Sequence, residues 1–126
     1  MKKIAKQSDW PIEPLPEERT TIALDRTFSS EEMEIIRRGV LPEEMEDRWF
    51  VYWQNDCLYF HRSWTGFCIF VVRFIQENAC YRIVGAEVNR DKEQYDILGD
   101  EKDKKYISEL IDDILADRMT TWGSGD

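Results

Sequence analysis

Residues 48–74 read RWFVYWQNDCLYFHRSWTGFCIFVVRF, and the fold follows from how this stretch is punctuated. Aromatic and β-branched residues run up to Gln54, Asn55-Asp56 interrupts them, and the apolar pattern resumes at Cys57. Asn and Asp tolerate the left-handed backbone of a two-residue hairpin loop, so this interruption is a turn. Ser63-Trp64-Thr65-Gly66 supplies the next turn and Glu77-Asn78 the one after. Four strands are therefore expected, Arg48–Gln54, Cys57–Arg62, Phe67–Gln76 and Ala79–Val88, joined as an antiparallel meander.

Two-residue loops fix register, and register sorts the side chains by face. One face should gather Trp49, Val51, Trp53, Leu58 and Phe60, and continue through Arg62 into Phe67, Ile69, Val71 and Arg73. The other should gather Arg48, Phe50, Tyr52, Tyr59 and His61, with Cys57 beside them, and continue into Cys68, Phe70, Val72 and Phe74. Both faces are too apolar to meet water, so both need a cover.

The flanking segments offer covers. From Asp100 to Arg118, Tyr106, Ile107, Leu110, Ile111, Ile114 and Leu115 recur at three- and four-residue spacing, which predicts a helix with one broad apolar stripe. Asp100 reads as its cap, with Asp103 three residues on. This helix is the expected cover for the first face. A short helix is expected over Ser30–Arg38, capped by Ser29 or Ser30, with Glu31 and Glu32 at its start and Gly39 beyond its end. Pro11, Pro14 and Pro16 make residues 1–19 an extended arm, pinned by Trp10, Ile12 and Leu15. The arm and the short helix are expected to share the second face. Thr20–Leu24 predicts an added edge strand, and residues 119–126 a mobile tail, with docking through Trp122 as the alternative. The expected fold is α+β, a single domain over residues 1–126. Its core is a four-stranded meander, or five strands with the edge, packed on the C-terminal helix.

Composition narrows the function classes. Seventeen basic and 26 acidic side chains give a net charge of −9. Residues 48–90 nonetheless carry five basic groups against three acidic, and all five are arginine: Arg48, Arg62, Arg73, Arg82 and Arg90. Acidic flanks around a mildly basic sheet disfavour generic nucleic-acid binding, because the phosphate backbone is repelled. The aromatic density resembles a base-stacking platform, but no RNA-binding signature accompanies it. Three cysteines (Cys57, Cys68 and Cys80), with no CxxC and a single histidine, make neither a disulfide framework nor a zinc site. They are expected to be reduced, buried and free of metal. The first residues, MKKIAKQSDWPIEP, lack the apolar core of a signal peptide, and the longest apolar run, Phe67–Val72, is too short to span a bilayer. A soluble, cytoplasmic chain is expected.

Catalytic and cofactor motifs are absent from the sequence. Ser63 follows His61 closely, but no GxSxG elbow surrounds it and no third group orients the base. Neither GxGxxG nor GxxxxGK[ST] occurs, and no cofactor is implied.

The string LYFHRSWTG, with RWFVYW upstream, resembles an aromatic hairpin found in small uncharacterised bacterial proteins near ADP-ribose-processing enzymes. The resemblance covers about residues 46–74. It implies an intracellular bacterial accessory domain and brings no catalytic residue with it.

Two candidate sites remain. The first is Arg48, Tyr52, Tyr59 and His61 on the second face, where phenols, an imidazole and a guanidinium among aromatic rings suit an anionic ligand. The second is Trp64, whose place in a turn makes it either a lid over the sheet or an interface anchor. The expected function is a non-catalytic binding module holding a protein partner or a small anionic ligand, without nucleic-acid or membrane contact. The alternative is a small enzyme on a phosphate- or nucleotide-like substrate, with His61 as acid and base.

Overall fold

A computed structural model describes residues 4–118 of the chain. The expected tail, with Trp122, lies outside the described residues. After a short 3-10 turn at Gln7–Asp9 come strands β1 (Arg19–Ile22) and β2 (Arg26–Phe28) and helix α1 (Ser30–Arg38). Strands β3 (Trp49–Gln54), β4 (Cys57–Arg62), β5 (Cys68–Glu77) and β6 (Cys80–Asn89) follow, then helix α2 (Asp100–Leu115).

The architecture is α+β, with an antiparallel sheet in the order β1-β6-β5-β4-β3. It has six strands rather than four or five, because β1 and β2 lie end to end along β6. β1 pairs from Arg19 opposite Asn89 to Ile22 opposite Ala86, and β2 from Arg26 opposite Ile83 to Phe28 opposite Tyr81. Three residues of strand leading straight into a helix cap leave no alternation to read, which is why β2 is invisible in the sequence.

The first hairpin has the expected register. Gln54 pairs with Cys57, Tyr52 with Tyr59 and Phe50 with His61, around Asn55 and Asp56 at φ 52° and 60°. Two consecutive left-handed residues match the strand twist, as a type I′ loop requires. The last hairpin differs by one residue. Glu77 pairs with Cys80, so its loop is Asn78-Ala79, with Asn78 taking the positive φ.

A bulge in β5 changes the face assignment. His61 pairs with Cys68, as expected, but Phe60 pairs with Phe70, so Ile69 is an extra residue. Beyond it the alternation inverts. Phe70, Val72 and Phe74 join Trp49, Leu58 and Phe60 in the main core, whereas Val71 and Arg73 stand opposite Tyr59 and Cys57 on the other face. Arg73 therefore does not share a face with Arg62.

Both helices cover the first face. Ile107, Leu110, Ile111 and Ile114 of α2 are buried in one cluster with Met33 and Ile36 of α1. The expectation that α1 shields the second face is thus corrected. β2 delivers the chain to α1 with Phe28 already in the main core, so the helix begins on that side. Ser29 caps α1 by accepting from the Glu32 amide, Glu32 reciprocates, and Gly39 ends the helix at φ 68°. A side chain at Gly39 would strike the Val51 carbonyl, where Val40 bonds to Val51 and extends the outer edge of β3.

The start of α2 departs from expectation. Gly99, not Asp100, is the N-cap residue, and Asp103 is buried rather than closing a capping box. Asp103 accepts from the Tyr95 hydroxyl at 2.6 Å and pairs with Arg90 at 2.7 Å. Burial and this bond together push the Tyr95 hydroxyl well above its ordinary pKa. Asn89 donates to the Cys68 carbonyl and to Gln94 Oε1, so the 90–95 connection is fastened to the end of the sheet.

Among the described residues no helix is long and apolar enough to cross a membrane. Cys57, Cys68 and Cys80 are free thiols. Only Cys68 is fully buried. Cys57 is half-buried and Cys80 is exposed, because Cys80 adjoins the tip of the last hairpin.

Candidate functional site

The second sheet face is an aromatic ladder. Tyr52 stacks on Tyr59 with ring centroids 4.7 Å apart and planes 5° apart, and on His61 at 5.6 Å. Phe50 packs 6.2 Å from His61. The arm closes this ladder. Trp10 stacks on Phe50 at 6.0 Å, and Ala5, Ile12 and Leu41 pack in the same small cluster. Prolines keep the arm extended, and its bonds go to the 63–66 turn and the end of α1. The Trp10 indole donates to the Ser63 carbonyl, the Glu13 amide to the Gly66 carbonyl, and the Ala5 amide to the Arg38 carbonyl.

His61 lies beneath this cover, 2% exposed. Its Nδ1 is 2.9 Å from the Gly66 carbonyl, which can only accept, so Nδ1 carries the proton. Nε2 is buried without a hydrogen-bond partner among the described residues. Burial lowers the imidazole pKa, with the Gly66 bond opposing in part. Burial also pushes Tyr52 up to about 12, helped by Tyr59 and Cys68. The ladder is a set of neutral, stacked rings.

Arg48 stands elsewhere. It precedes β3, is exposed, and lines a cleft of about 560 Å³ together with Arg62, Trp64 and Phe67. Met45 and Glu46 also line it, as do Glu93 and Gln94 from the 90–95 connection. The hinge of the cleft is the β4–β5 turn. Ser63 fastens it to the 45–48 segment through its amide to the Arg48 carbonyl and its hydroxyl to the Asp47 carbonyl. The Trp64 indole donates to the Met45 carbonyl at 2.7 Å while the residue stays 75% exposed. The ring is held, yet its faces are left to solvent.

The guanidinium groups are the unusual feature. Six of the ten arginines are paired with carboxylates: Arg19 and Arg73 with Glu87, Arg26 with Asp112, Arg82 with Glu77, Arg90 with Asp103 and Arg118 with Asp113. Arg37 lies over the Trp53 and Tyr81 rings. Arg48 and Arg62, like Arg37 and Arg38 at the end of α1, have no carboxylate within 4 Å among the described residues, although Glu46 and Glu93 line the same cleft as the first two. Arg62 stacks over Trp49 at 4.6 Å. The ring attracts the cation there without using its N–H groups as donors to a carboxylate.

The sequence-derived candidates thus separate into two places. Tyr52, Tyr59 and His61 stay together under the arm, while Arg48 joins Trp64 at the cleft. Arg62, Phe67, Glu93 and Gln94 join the cleft although they are not among the sequence-derived candidates. Arg62 and Phe67 flank the Trp64 turn in sequence, which is a usable signal. Glu93 and Gln94 come from a polar connection whose fold depends on the buried Asp103 and Asn89, and nothing local marks them. No protein-family model, no curated protein and no solved structure matches the chain.

Proposed function

We propose that this protein is a small, cytoplasmic, non-catalytic binding module that holds an anionic small molecule in the cleft between Arg48, Arg62 and Trp64. One observation carries the reading. In a chain of net charge −9, whose other arginines mostly sit on carboxylates, two arginines without a carboxylate partner among the described residues line one cleft with an exposed indole. A planar fork of N–H donors binds carboxylate or phosphate oxygens two at a time, and two forks at one site suit a doubly charged anion. The cleft volume lies within the range of small-molecule pockets, and its lining mixes apolar rings with a few polar groups. The cytoplasmic assignment is supported by three unpaired thiols, one of them exposed.

Ligand binding to the folded state alone raises the melting temperature. At constant ionic strength, added inorganic phosphate should raise that of the wild type. It should leave the double variant Arg48→Ala/Arg62→Ala unshifted, while Arg73→Ala should respond like the wild type. Equal shifts in all three would place anion binding elsewhere and overturn the reading.

A further inference from the structure

The chemistry of the cleft beyond its two arginines specifies what the anion is attached to. Trp64 is the first element. An indole that is three-quarters exposed normally rotates freely, but this one is tethered by its N–H to the Met45 carbonyl. A tethered ring with bare faces is a preformed platform for another flat ring. Glu93 and Gln94 are the second element. The Gln94 side-chain oxygen is occupied by Asn89, which turns its NH₂ into the available donor, and the Glu93 carboxylate offers only acceptors. Such a pair reads hydroxyls and ring nitrogens. The third element is charge. Two arginines against Glu46 and Glu93 leave the cleft with no formal net charge, so a single phosphate is held by local contact with the forks, and the cleft has no surplus positive charge to neutralise a chain of phosphates.

We infer that the cleft takes a nucleoside monophosphate, with its base stacked on Trp64 and its phosphate on Arg48 and Arg62. This inference rests on the anion-site reading above. The protein's overall acidity opposes a nucleic-acid strand, so the free nucleotide, rather than an end or loop of RNA, is the occupant.

The test is titration of the full chain, followed by tryptophan fluorescence and by calorimetry, with five probes. These are adenosine, guanosine and uridine monophosphates, inorganic phosphate, and a short single-stranded oligoadenylate. At least one monophosphate should bind about tenfold or more tighter than phosphate, the size expected from stacking one base on one ring. It should quench the Trp64 emission. Trp64→Ala should remove that advantage while keeping the phosphate response, and Arg48→Ala/Arg62→Ala should remove both. If phosphate and all three nucleotides bind alike, the inference fails and the anion site stands. No binding by any probe overturns both. Tighter binding of the oligoadenylate than of any monophosphate would make a strand the occupant and overturn the free-nucleotide form.

Discussion

His61 carries one hydrogen bond and one bare nitrogen, packed against the Phe50 and Tyr52 rings. An imidazole titrates near 6.5 in an unfolded chain, and burial lowers that value here. The unfolded state therefore takes up the proton first. Stability is full above about pH 6.5 and declines as pH falls below it, by up to about 1.4 kcal/mol per pH unit until the folded value is reached. Urea denaturation of the wild type should show this decline and His61→Phe should not; parallel profiles would mean His61 titrates as if exposed. Gly66 makes a sharper point, because it sits at φ 78° with the Pro11 carbonyl 2.7 Å from where a Cβ would lie. Gly66→Ala should cost about 2 kcal/mol and lift the arm, seen as a red shift of Trp10 emission. An unshifted spectrum would mean the arm does not depend on this approach. Among the thiols, Cys80 should react quickly with a native-state reagent and Cys57 slowly. Cys68, which burial pushes up to about 12, should not react at all. Three equal rates would contradict the burial pattern.

At the scale of elements, α2 is held by its apolar stripe and not by its charges. Ile111→Ala should lower stability by about 2–5 kcal/mol, whereas Asp112→Ala, which breaks an exposed pair with Arg26, should cost less than about 1 kcal/mol. Equal small effects would mean that the helix is not docked. The same element shows how far the sequence is legible. The stripe from Tyr106 to Leu115 is periodic, and periodicity survives any tertiary context. Asp103 is not legible, because a carboxylate in the first turn of a helix belongs to a cap until a half-buried Arg90 and a buried Tyr95 turn it inward. The sheet divides in the same way. Asn55-Asp56 announces its loop and sets the β3–β4 register, so the stacking of Tyr52, Tyr59 and His61 could be read in advance. Ile69 looks like any other strand residue, yet as the extra residue of a bulge it sends Phe70 to the core and Arg73 to the opposite face. For α1, the cap residues fix where it starts and stops, but the face it covers is set by β2, which three residues cannot signal.

For the whole molecule, charge and cover act together. Six arginines tie the sheet, helices and connections to the acidic majority, and of the four others Arg48 and Arg62 line one cleft. The arm and the 45–48 segment both bond to the 63–66 turn, so the Trp64 wall of the cleft is fastened by two separate stretches of chain. The cleft itself was half legible. Arg48 and Trp64 stand out as residues, but their meeting requires the folded path of residues 42–47 and the pinned 90–95 connection. The most direct measurement is the arginine side-chain Nε–Hε NMR spectrum of the isotopically labelled protein during titration with inorganic phosphate at constant ionic strength. The Arg48 and Arg62 resonances should move together and saturate, with the Trp64 indole N–H following, while Arg26, Arg73 and Arg90, already on carboxylates, stay in place. Uniform small drifts of all the arginines, or movement of Arg73 and Arg19 instead, would contradict anion binding in the cleft.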